Sequence, residues 1–143
     1  MGITEEGILA EQWLLKKFRE KNIHCFQPDA ISFENENFIL NEIKNQEYYE
    51  EPPFNGHGLP IWQINSRLHF HNITNIRCRL IIIEKNTDII YYQWLDELAK
   101  GRFYDTKGNN PRRIYPLYNY FRTTKNNMDL TNLSYKIKSL EVW

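Results

Sequence analysis

Residues 38–44 read Phe38-Ile39-Leu40-Asn41-Glu42-Ile43-Lys44. In an extended chain successive side chains point to opposite faces, so Phe38, Leu40, Glu42 and Lys44 share one side while Ile39 and Ile43 take the other. Two apolar residues on one face thus run into a carboxylate and an amine. An ion pair closing a strand would give this pattern, and so would a functional pair at the strand's end.

Working outward, Ala30 to Phe33 reads as a preceding strand, and the turn residues Glu34 to Asn37 make the two a hairpin. Asp29 stands just before that strand, where the hairpin can bring its carboxylate beside Glu42. Pro28 forces Gln27 into extended geometry, and Ile23 to Gln27 is expected as a further short strand. Upstream, a helix is predicted over roughly residues 5 to 20. Ile8, Glu11, Leu15 and Phe18 recur there on one face. Glu11 is anomalous on an apolar face, because burying an unpaired carboxylate costs several kcal/mol. It either lies at the rim of that face or meets a cation. Glu11, Asp29 and Glu42 together offer the oxygen ligands that a hard divalent ion such as Mg²⁺ prefers.

Downstream, Asn45 to Pro60 shows no period and is expected as a long exposed loop, with Tyr48, Tyr49 and Phe54 as a cover over the site or as packing for the loop. Leu59 to Asn72 should be helical. The run Leu80-Ile81-Ile82-Ile83, within a strand Arg79 to Glu84, suits a central strand covered on both faces. A strand over Ile89 to Gln93 and a short helix over Trp94 to Lys100 follow. This order implies an α/β domain whose mixed β-sheet is flanked by helices.

The 143 residues suffice for one domain, 1–143, with a real core. Net charge is zero, so bulk charge alone does not hold a nucleic acid. Its distribution is uneven: residues 1–51 carry 11 acids and 5 bases, and residues 101–143 carry 3 acids and 8 bases. An acidic front suits cations and a basic back suits phosphates. Aromatic residues reach 15%, and rings such as Tyr104, Tyr115 and Tyr118 interleave with Arg102, Lys107, Arg112 and Arg113. Interleaved bases and rings can grip a nucleic-acid backbone. Arg67, one helical turn after Gln63, could also face the cleft and is a further candidate for nucleic-acid contact.

Cys25 and Cys78 are too few for a disulfide framework and are expected to be reduced, buried and inert. No apolar run reaches membrane-spanning length and the N-terminus lacks a signal-peptide pattern, so a cytoplasmic protein without membrane partners is expected. His57, His69 and His71 suggest zinc only weakly, since a spacing of two on a helix sends the rings to different faces.

Pro28-Asp29, twelve intervening residues and then Glu42-Ile43-Lys44 resembles the signature of the PD-(D/E)XK nuclease superfamily. The likeness is to its Holliday-junction resolvases and related small phage or prokaryotic nucleases. It covers roughly residues 5 to 95, with Glu11 on the helix before the motif and Gln63 on the helix after it. The acidic stretch Glu47 to Glu51 departs from a basic DNA-binding face.

The resemblance implies a restriction-endonuclease-like core and a Mg²⁺-dependent DNA nuclease, with Mn²⁺ as a possible substitute and branched or structured DNA as substrate. Asp29, Glu42 and the carbonyl of Ile43 would ligate metal, and Glu11 would complete the shell. Lys44 would activate water and Gln63 would position it. Many such nucleases pair as homodimers. A nuclease-fold binding or assembly module without catalysis is the alternative.

Overall fold

The computed structural model describes residues 4–23, 25–51 and 54–128. Its first element obeys ordinary capping rules. Thr4 accepts the Gly7 amide at 3.1 Å, and α1 (Glu5–Glu20) begins with Glu5 and Glu6, whose charge suits the positive end of the helix dipole. It ends in Lys17 and Arg19, with Asn22 in the left-handed region at φ 60°.

The expected hairpin forms from β1 (Ala30–Glu34) and β2 (Asn37–Gln46). Its two-residue turn places Asn35 and Glu36 at φ 51° and 64°, the left-handed pair that matches the twist of the flanking strands. Ile23 to Gln27 forms no strand among the described residues. Pro28 extends the chain there, but an extended segment becomes a strand only when another pairs with it.

After β2 come β3 (Tyr49–Glu51), β4 (Phe54–Pro60), α2 (Ile61–Thr74), β5 (Arg77–Glu84), β6 (Ile89–Trp94), α3 (Leu95–Leu98), β7 (Tyr104–Asp105), β8 (Arg112–Pro116) and β9 (Phe121–Thr124). Two sheets result, one ordered β1-β2-β5-β6-β9 and one ordered β3-β4-β8-β7. Only β2 and β5 run parallel, which makes the larger sheet mixed. The fold is therefore α/β, a mixed sheet flanked by helices.

The stretch from Asn45 to Pro60 differs from the expected exposed loop. It holds β3 and β4, and residues 56–60 are buried. Pairing here depends on backbone approach. A β-carbon added to Gly58 would lie 1.8 Å from the Arg113 carbonyl oxygen, so only glycine lets β4 lie against β8.

The larger sheet buries apolar residues on both faces. On one, Leu40, Cys78, Leu80, Ile82 and Tyr91 meet Ile64 of α2, Leu95 and Leu98 of α3, and Leu59 and Tyr115 of the smaller sheet. On the other, Ile39, Ile81, Ile90, Tyr92 and Trp94 cluster. Polar residues lock the second face. Arg79 donates to Asn41 at 2.8 Å and to both oxygens of Glu34, at 3.2 and 2.6 Å, tying the hairpin to β5. Arg77 binds Asp96 through two contacts, at 3.0 and 2.7 Å, and lies 4.2 Å from the Trp94 ring centre.

Of the two cysteines, Cys78 is buried, as expected, with its thiol pushed up by burial. Cys25 is exposed, because the segment before Pro28 runs over the surface and is not paired into a sheet. No helix is long and apolar enough to cross a membrane among the described residues.

Candidate active site

Strand alternation puts Leu40, Glu42 and Lys44 on the helix-bearing face of β2, and the parallel register sets Glu42 beside Leu80 and Lys44 beside Ile82. The apolar neighbours on β5 strip water from Glu42, which is 1% exposed. Burial pushes its carboxyl above the ordinary value of 4.5, and the Arg67 hydrogen bond and charge oppose that rise.

Arg67 supplies the compensating charge. From α2 its Nε donates to Glu42 Oε1 at 2.8 Å, and its guanidinium lies 4.5 Å from the Phe26 ring centre. Arg67 is only 4% exposed. Its position one turn after Gln63 aims it at the site, where its guanidinium pairs with Glu42.

Asp29 reaches the same place from the start of β1. Its Oδ2 accepts the Ile43 backbone amide at 2.8 Å and stands 3.9 Å from Lys44 Nζ. Asp29, Glu42 and Lys44 all line one cleft of about 370 Å³, together with Gln63 and Arg67 of α2. Two acceptors in it are unsatisfied: Glu42 Oε2 and Gln63 Oε1 are buried without a hydrogen-bond partner among the described residues. Leu15 and Arg19 of α1, then Ile23, Cys25 and Phe26 of the following segment, and finally Trp62 at the start of α2, complete the walls.

Of the two places its periodicity leaves open, Glu11 takes the rim. Helix α1 buries none of its residues, and Glu11 is exposed, with its Oε1 accepting a hydrogen bond from Gln27 Nε2. The apolar stripe of α1 packs only at the depth of Leu15 and Phe18, which are half-buried. No group of three His, Cys, Asp or Glu residues stands ready to hold a metal among the described residues. Glu42 and Asp29 are the two carboxylates that could hold a hard cation, since Glu42 Oε2 has no partner among the described residues and Asp29 lines the same cleft. The third acidic ligand expected from the sequence is not supplied by Glu11 in this arrangement.

Three of the four later basic residues, Arg113, Arg102 and Arg112, have partners within the protein. Arg113 binds Asp105 at 2.9 and 3.0 Å and lies over Phe103. Arg102 lies over Phe54, with an NH1 contact to the Tyr118 hydroxyl at 3.3 Å. Arg112 is half-buried and points NH2 at the Gly58 carbonyl, 3.5 Å away, while Lys107 is exposed. None of the four lines the cleft. Phe54 packs on Tyr104 rather than over the site, and Tyr48 donates to Glu50. His57 is buried between Gln46 and Glu84, at 3.0 and 3.1 Å, in no metal-binding group.

Sequence reasoning missed Arg19 and Trp62. Arg19 follows Leu15 by four residues and so faces the same way. Trp62 precedes Gln63 at the N-terminus of α2, and no period marks it.

No protein-family model matches the chain. No curated protein matches it. Among solved structures it is similar to Hjc, a Holliday junction resolvase of Archaeoglobus fulgidus, an archaeal hyperthermophile. That similarity covers 78% of this chain and 84% of that one, at 10% sequence identity and a TM-score of 0.40.

Proposed function

We propose that the chain is a metal-dependent DNA nuclease that hydrolyses phosphodiester bonds at the Asp29–Glu42–Lys44 cleft. One observation carries this reading. Two carboxylates, an amine and a glutamine line a single cleft, and two buried acceptor oxygens of those residues, Glu42 Oε2 and Gln63 Oε1, lack partners among the described residues. Unsatisfied buried acceptors are costly to keep, which favours a ligand that completes them.

Asp29 and Glu42 would hold Mg²⁺ or Mn²⁺. When bound, such an ion polarises a phosphate and lowers the pKa of water. The residues themselves have separable tasks. Lys44, beside Asp29, holds positive charge where a phosphate's negative charge would build up. Gln63 offers its carbonyl oxygen to orient an attacking water. Arg67 holds Glu42 in one rotamer and offsets its charge, and so acts as a positioning residue. Branched or structured DNA is the substrate class that the sequence resemblance implies.

A binding or assembly module is the second reading. It is favoured by the capture of Glu42 by Arg67 and by the removal of Glu11 from the site. Cleavage of plasmid, single-stranded and four-way-junction DNA in Mg²⁺ and in Mn²⁺ separates the two, with Glu42→Ala and Lys44→Ala as controls. The nuclease reading expects cutting by wild type alone. Equal cutting by all three proteins, or none by any, supports the module.

A further inference from the structure

The walls of the cleft divide by chemistry. The lining carries the charged Arg19, Asp29, Glu42, Lys44 and Arg67, and also the apolar Leu15, Ile23, Phe26 and Trp62. Trp62 is 60% exposed. A large indole left in water at the first turn of a helix adds little to stability, because the apolar surface it could bury stays wet. Its position in a cleft with charged lining gives it another use.

Resting on the nuclease reading, we infer that the cleft admits one unpaired nucleotide, its base stacked on Trp62 and its phosphate toward Lys44 and Arg19. Three features of the cleft fit such an occupant. A nucleotide is apolar on the faces of its base and anionic at its phosphate, and the lining has the same two parts. Formal charge in the lining, three cations (Arg19, Lys44, Arg67) against two carboxylates (Asp29, Glu42), leaves a net positive charge for the phosphate. The volume of about 370 Å³ lies at the small end of pockets that hold a single compact ligand, roughly 300–1,000 Å³, the scale of one nucleotide.

A base exposed to solvent on both faces is available to stack, whereas one inside a duplex must first be extruded, at a cost of a few kcal/mol. The cleft therefore selects strands that are single, frayed or unpaired at a branch, and Trp62 is the residue that sets this preference.

The test is direct binding of the full chain in EDTA, where no cleavage can occur, to a fluorescein-labelled oligothymidylate and to a blunt duplex of the same length. Wild type is expected to favour the single strand. Trp62→Ala should weaken single-strand binding about tenfold or more, the usual effect of losing one stacked base, and change duplex binding less than twofold. Trp62→Phe should retain most of the affinity. Because the side chain is exposed, the melting temperature of both variants should match wild type, which separates a binding loss from misfolding. Single-strand binding within twofold of wild type for Trp62→Ala, equal losses on both ligands, or no single-strand preference in wild type would each overturn the inference. Cleavage is read separately in Mg²⁺: a chain that shows the Trp62 effect in EDTA but never cuts retains the stacking site and loses the nuclease reading. A chain that cuts without any Trp62 effect does the reverse.

Discussion

Asp29 accepts the backbone amide of Ile43, at 2.8 Å, so the hairpin fastens the first acid of the cleft to the strand that carries the second. One carboxylate thereby serves the fold as well as the proposed chemistry, and substitution can pull the two apart.

Asp29→Asn keeps an oxygen that can accept the Ile43 amide but removes the charge. It should melt within a few degrees of wild type and lose DNA cleavage by at least about a hundredfold, the scale of losing one charged catalytic group. Asp29→Ala removes both and should also destabilise by about 1 kcal/mol. Thermal denaturation beside a plasmid-nicking assay reads both effects, and an active Asp29→Asn protein would remove Asp29 from the site.

Arg67 and Glu42 form a buried pair, 4% and 1% exposed. Removing one partner strands the other charge, so Arg67→Met and Glu42→Leu should each cost about 3–5 kcal/mol in urea unfolding. The double variant should recover most of that loss and remain inactive. Additive losses in the double variant would mean that the pair is not coupled.

Gly58 should tolerate no side chain. The close approach to Arg113 makes Gly58→Ala push β4 from β8, at a cost on the order of 3 kcal/mol. Chemical denaturation measures it, and a neutral substitution would place the two strands farther apart than described.

His57 supplies the pH dependence. Gly58 holds the Gln46 amide at both ends, its N–H donating to Oε1 and its carbonyl accepting from Nε2, each at 3.2 Å. Gln46 Oε1 therefore faces His57 Nδ1 as an acceptor, and Nδ1 carries the proton. Burial pulls the proton affinity of the ring below its ordinary value of 6.5, with the Glu84 contact opposing. The unfolded chain then binds the proton more readily, so stability falls as pH drops from 6.5 toward the depressed value. The slope is at most about 1.4 kcal/mol per pH unit for one proton. Melting temperatures between pH 8 and pH 5 should show this decline in wild type and a shallower one in His57→Asn.

How far the sequence foretold the molecule depended on whether a feature obeys a period. The alternation in residues 38–44 placed Glu42 and Lys44 correctly on one face, and Asn-rich turn chemistry located the hairpin. The span of α1 followed from the recurrence of Ile8, Leu15 and Phe18 at helical spacing. Strands β3 and β4 escaped detection because Gly56 and Gly58 pair by close backbone approach, which leaves no pattern of side chains. The place of Glu11 stayed open for a different reason. A stripe at helical spacing says which way a helix faces but not how deeply it packs, and α1 buries nothing. Arg67 was aimed at the cleft by its spacing from Gln63, but its pairing with Glu42 had no local signal because that partner lies on a strand 25 residues earlier in the chain.

The side-by-side parallel run of β2 and β5 stores the chemistry of this protein as parity. Slipping or lengthening β2 by a single residue would turn Glu42 and Lys44 to the opposite side and deliver Asn41 and Ile43 to the cleft, whereas a change of two would restore the facing pattern one step displaced. Point substitutions can erode such a cleft gradually, but an odd-numbered insertion or deletion in β2 would abolish it at once. That strand should therefore be the stretch of the chain least able to change its length.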